Sequence, residues 1–183
     1  MKRPITARQS ALIEQGIKLH NARRFVEAER VYQTVLRENP EHTDALNLMG
    51  VLAVEAGRND VALDYMRHAV KLEPEKAIYR NNLGNAYLRD KNLVEAEPHI
   101  RLTLRMAPDR GLAWANMAEI LAEKDNFDVA KAALKVAIRL SKNRQRTLDY
   151  LARPQDISPS KKFTTVVHQV LPSVNAIPST PLN

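Results

Sequence analysis

Five histidines, His20, His42, His68, His99 and His168, are the side chains best suited to hold a metal or move a proton. No two form an HxxxH or HExxH pair, the spacings that bring two imidazoles to one face of a helix. They read as exposed histidines on helices and loops. Glu27 with Glu29, and Glu95 with Glu97, lie two residues apart and point to different sides of a helix. They read as solvated charges of a first helical turn, where the helix dipole favours them. Ser141 and Ser158 have no adjacent base, and none of the five glycines belongs to a phosphate-cradling GxGxxG or GxxxxGKS/T loop. With no cysteine, thiolate and disulfide chemistry is closed to this chain. The residues thus point to no catalytic centre, no metal site and no cofactor. What remains is hydrogen bonding by primary amides. Asn47, Asn81, Asn82, Asn85 and Asn116 fall in helical stretches, where asparagine is a mediocre former and its placement asks for a reason. Each amide carries both a donor and an acceptor.

The elements that must position these amides follow from a 34-residue period. Gly16, Gly50, Gly84 and Ala118 keep that spacing, as do Ala28, Ala62, Ala96 and Ala130. Pro40, Pro74 and Pro108 close the first three repeats, with Lys142 in the fourth slot. Counting each repeat from Gln9, Thr43, Ala77 and Gly111, apolar or small residues recur at positions 4, 7, 8 and 11, then at 20, 24, 27 and 28. Those spacings describe two amphipathic helices per repeat. The polar breaks Ala22-Arg23-Arg24, Ala56-Gly57-Arg58, Asp90-Lys91-Asn92 and Lys124-Asp125-Asn126 fit an antiparallel pair. Small residues at positions 8 and 20 allow close backbone crossing, and each proline ends a second helix. Thr6 with Gln9 fits an N-terminal capping box.

The net charge of +7 is unevenly placed. Lys2, Arg3 and Arg8 lead the chain, six basic against two acidic residues fall in 141–183, and 9–140 balances at 19 of each. A nucleic-acid footprint needs a basic stripe on the folded face, so this pattern argues against nucleic acid. No stretch approaches a membrane span and no apolar leader core opens the chain. These features, with the missing cysteines, lead to an expectation of a cytoplasmic protein.

The repeat resembles that of the tetratricopeptide family over about residues 9–142. Trp114, Met117, Ala118, Leu121, Ala130 and Leu134 carry the motif in the fourth repeat, and Leu83, Gly84, Tyr87, Ala96, Ile100 and Pro108 in the third. Gln15, Arg80 and Thr103 depart from it at usually apolar positions, and Pro98 falls near the first turn of a second helix. The resemblance implies an all-α fold, a right-handed superhelical solenoid of antiparallel helix pairs whose first helices line a concave groove. The division expected is a lead-in at 1–8, repeats at 9–42, 43–76, 77–110 and 111–142, a partial capping helix at 143–153, and a disordered basic Pro/Ser/Thr tail at 154–183. Within the tail Phe163–Leu171 is apolar enough to dock. Trp114 is expected in the core.

Carried onto this sequence, the groove positions are Asn47, Leu48, Val51, Asn81, Asn82, Asn85, Arg89, Asn116 and Glu119, with Ile13 and Ile17 making its start apolar. Amides there would pair with the backbone of an extended peptide, and the ladder at Asn82 and Asn116 resembles that of O-linked N-acetylglucosamine transferase. The family's clamp for a C-terminal carboxylate is missing, because Ile13, Ile17, Leu48, Ile78 and Asn82 supply no cation. The expected function is a non-catalytic scaffold that binds a protein or peptide partner, as a monomer or with weak self-association. The alternative is the N-terminal recognition module of a truncated or split sulfotransferase or glycosyltransferase.

Overall fold

Each repeat becomes two helices because its backbone is turned at one fixed place. The computed structural model describes residues 4–141 and 160–175. Among them run α1 (Ala7–Asn21), α2 (Phe25–Glu38), α3 (Thr43–Glu55), α4 (Asn59–Leu72), α5 (Ala77–Arg89), α6 (Leu93–Met106), α7 (Gly111–Glu123), α8 (Phe127–Leu140) and α9 (Lys161–Asn175), with no strand. Arg23, Gly57, Lys91 and Asp125, equivalent residues of the four repeats, all take the left-handed conformation, at φ of 58, 70, 58 and 59°. After α1, Arg24 N–H donates to Leu19 O and Arg23 N–H to His20 O, each at 2.9 Å. The same two bonds follow α3 (Arg58 to Ala53, Gly57 to Val54) and α7 (Asn126 to Leu121, Asp125 to Ala122). They satisfy carbonyls that a helix end leaves open. Only Gly57 adopts this conformation without a Cβ penalty. Arg23→Gly should therefore raise the unfolding free energy by about 0.5–1 kcal/mol, and Gly57→Ala should lower it by a similar amount, in urea melts with an unchanged slope.

The starts of α1, α3 and α6 are capped by side chains. Thr6 Oγ1 accepts from Gln9 N–H while Gln9 Oε1 accepts from Thr6 N–H, both at 3.2 Å, completing the capping box. His42 departs from the exposed histidine expected. It is 2% exposed, its Nδ1 accepts from Ala45 N–H at 3.3 Å at the start of α3, and burial holds its pKa below the usual histidine value. Asn92 Oδ1 accepts from Glu95 N–H at 3.2 Å to cap α6, which continues unbroken through Pro98.

The chain divides into two compact units, Met1–Lys91 and Asn92–Asn183. In the first, α1 packs on α2, α2 on α3, α3 on α4 and α5, and α4 on α5. Its core joins Ile13, Ala28, Tyr32, Val35, Ala45, Met49 and Leu52. In the second, α6 packs on α7, α7 on α8, and α9 on both α7 and α8. Of the residues that break the apolar pattern, Arg80 has a clear reason. Its Nε donates to Pro74 O at 2.6 Å, as Trp114 Nε1 at the equivalent position donates to Pro108 O at 2.8 Å. The arginine keeps the tryptophan's hydrogen bond to the closing proline. Trp114 is half-buried against the second unit's core, and Thr103, fully buried, donates to His99 O at 2.9 Å.

The tail requires a correction. Residues 161–175, expected to be disordered, form α9, with Phe163, Val166, Val167 and Val170 at most 2% exposed. These residues recur at i, i+3, i+4 and i+7, a helical stripe. Six β-branched residues among its 15 hide that stripe from a propensity argument, and burial overrides propensity. The capping helix expected at 143–153 lies outside the described residues.

Candidate functional site

Within the first unit, the first helices of consecutive repeats are joined by polar pairs offset from the period by one residue. In the first unit, His20 Nε2 lies 3.0 Å from Glu55 Oε2, Tyr79 OH donates to Asp44 Oδ1 at 2.5 Å, and Asn82 Nδ2 donates to Asn47 Oδ1 at 2.9 Å. All three pairs are 35 residues apart, whereas equivalent residues are 34 apart. One residue further along a helix turns a side chain by about 100°. Repeat position 5 therefore aims Asn47 forward toward α5, and position 6 aims Asn82 back toward α3. Around Tyr79 the link broadens. Lys76 Nζ donates to its hydroxyl at 3.1 Å and pairs with Glu73 at 3.0 Å, and Glu73 accepts from Thr43 Oγ1 at 3.0 Å. Burial, and then the bond to Asp44, push the Tyr79 phenol up to about 12. Residue-by-residue reading missed this network; a search for polar pairs 35 apart would have met it.

This geometry sorts the groove residues. Asn47 and Asn81 are 5% and 4% exposed, and Asn81 Nδ2 donates to Asn82 Oδ1 at 3.4 Å, so these amides are largely engaged within the protein. In the second unit Asn116 and Glu119 are 4% and 7% exposed and also carry polar partners. Arg89 is half-buried with a polar partner, and its carbonyl accepts from Asn59 Nδ2 at 3.2 Å. Leu48 is half-buried on the core of the first unit.

The row at repeat position 9 remains: Ile17 on α1, Val51 on α3 and Asn85 on α5. Ile17 is 39% exposed, and Val51 and Asn85 are half-buried. Asn85 Oδ1 is buried with no hydrogen-bond partner. An acceptor left unmet in this way costs about 1–3 kcal/mol relative to a paired one. Asn85 stands at the same repeat position as the two apolar side chains. Among the described residues no group of three His, Asp or Glu could hold a metal, and no helix is long and apolar enough to cross a membrane.

Protein O-mannosyl-transferase TMTC1 of Homo sapiens is 28% identical over 132 residues, 69% of this chain and 15% of that protein. The curated relatives are thus far longer than the chain that matches them. Among solved structures, pilF of Pseudomonas aeruginosa superposes with a TM-score of 0.69 at 17% identity, covering 91% of this chain and 70% of that one. The Thermobaculum terrenum O-GlcNAc transferase gives 0.57 at 27% identity, over 83% of this chain and 30% of the other. These neighbours share an all-helical, helical-hairpin solenoid fold with this protein, and together with the repeats they support a protein-interaction scaffold. Tetratricopeptide repeat models match residues 14–67, 47–110 and 112–144, most of the chain. With helix pairs, left-handed turns and close small-residue crossings all repeating at that period, the chain belongs to the tetratricopeptide repeat family.

Proposed function

We propose that the first unit binds an extended segment of a partner protein across α1, α3 and α5, without catalysis. The observation that carries this reading is the unpartnered Asn85 Oδ1 in line with Val51 and Ile17. By rotating its half-exposed side chain, Asn85 would bring Oδ1 outward to accept a backbone N–H of the segment, and an apolar side chain would cover Ile17 and Val51. Each neutral hydrogen bond adds about 0.5–1.5 kcal/mol net, so a few of them with modest apolar contact give an affinity on the order of micromolar.

Asn85→Ala is a cleaner test than a change at Asn82, which would take the donor away from the buried Asn47. Removing an unmet acceptor should raise the unfolding free energy by about 1 kcal/mol. The same change should weaken peptides selected on the wild-type chain from a displayed random library by about fivefold to tenfold. Selected peptides that bind both proteins equally would remove the role given to Asn85.

The second reading, a recognition module for a transferase, is favoured by the similarity to two proteins named as transferases, of which this chain matches 15% and 30%. Reading the genomic DNA beyond codon 183 and in the other frames tests it, and a transferase domain there would support it.

A further inference from the structure

α9 does not continue the array. In the first unit the start of α5 meets the start of α3, where Tyr79 bonds Asp44. The start of α9 instead meets the end of α7: Lys162 Nζ pairs with Asp125 at 2.7 Å, in the turn after α7, and donates to Glu123 O at 3.3 Å. α9 thus enters from the edge opposite to that used by a repeat's first helix. Its stripe of Phe163, Val166, Val167 and Val170 closes a core with Ala118, Ala122, Ala133 and Leu134. Yet it is a poor helix by its own sequence, with six β-branched residues and Pro172 inside it. Helices of this length are marginal in isolation even when built from good formers. Folding of α9 and docking of α9 are therefore a single step, and its ordering cost is set against its contacts.

We propose that α9 is a removable cover, and that the α7–α8 face beneath it docks an amphipathic helix of a partner protein. That helix would carry apolar residues at i, i+3, i+4 and i+7, and a basic residue immediately before the first of them to meet Asp125. A helix with the same stripe on a stronger helix-forming background loses less entropy on docking and displaces α9. This surface lies on α7 and α8, so the inference stands apart from the groove reading.

The test uses the full chain and a labelled peptide of residues 160–175 with Thr165→Ala and His168→Ala, two exposed positions changed to favour helix. Val167→Asp releases the native α9. The peptide should bind this variant about tenfold or more tighter than wild type, because the competent face is no longer occupied. Lys162→Glu, a milder release, should give an intermediate affinity. Asp125→Lys added to it should bring the affinity below the wild-type value, because the reversed pair re-forms within the chain while the peptide's own Lys162 is repelled. A peptide with Phe163→Asp should not bind. Three results would overturn the proposal: no binding to either released variant, loss of α7 and α8 helicity in both of them, or concentration-dependent dimers formed by exchange of α9 between wild-type copies.

Discussion

Gly16→Ala should destabilise the wild-type chain but stabilise one that already carries Tyr32→Ala. A Cβ at Gly16 would lie 2.2 Å from Tyr32 Cε1 and 2.8 Å from Cδ1. The Tyr32 ring is fully buried and has little room to yield. Overpacking of this kind costs about 1–3 kcal/mol, against about 0.5–1 kcal/mol gained by replacing a mid-helix glycine. The net effect in wild type is a loss of about 1 kcal/mol. Tyr32→Ala alone should cost about 3–5 kcal/mol. With the ring gone the clash is gone, and only the helix gain of about 0.5–1 kcal/mol remains. A double-mutant cycle in urea reads the change of sign directly, and additive single effects would refute the steric account. Gly50→Ala should be milder. Its nearest neighbour is Met66 Cγ at 2.6 Å, on a side chain with rotamers to spare, although Ala62 O at 3.2 Å also limits the space.

Leu134→Ala should lower the unfolding free energy by about 2–5 kcal/mol. Leu134 is fully buried between the alanines of α7 and α8 and the valines of α9. Alanines close by cannot extend into the space, so the cavity stays open and the cost should fall in the upper part of that range. Part of the cavity wall is α9, so amide exchange over 163–170 should quicken more than exchange over α7. Equal acceleration in the two helices would mean that α9 opens only with the rest of its unit.

The parts of the fold legible in the sequence were those that sterics repeats. Gly16 and Ala28 announced a close crossing, and Ala22-Arg23-Arg24 marked a turn, although the left-handed backbone at Arg23 is invisible to a reading of residue types. α9 was misread because its valines and threonines argue for strand or coil, and only burial on α7 and α8 makes them helical. The site was half legible. The amides of Asn47, Asn81 and Asn82 were noticed, but the period aligns residues 34 apart while the side chains meet at 35, so their mutual engagement escaped notice. The unmet acceptor of Asn85 depends on what surrounds a single oxygen atom, which no spacing encodes.

The one-residue offset has a further consequence for how such a chain can change. His20 is matched to Glu55, Asp44 to Tyr79 and Asn47 to Asn82, so each of the first two helix pairs holds half of a lock whose key is written in the next. A 34-residue cassette cut out and moved elsewhere would arrive with its halves mismatched at both borders. Inheritance therefore acts on neighbours together. Drift at one member of a pair should be answered 35 residues away, and shuffling of whole repeats, which the period seems to invite, is restrained by the joints between them.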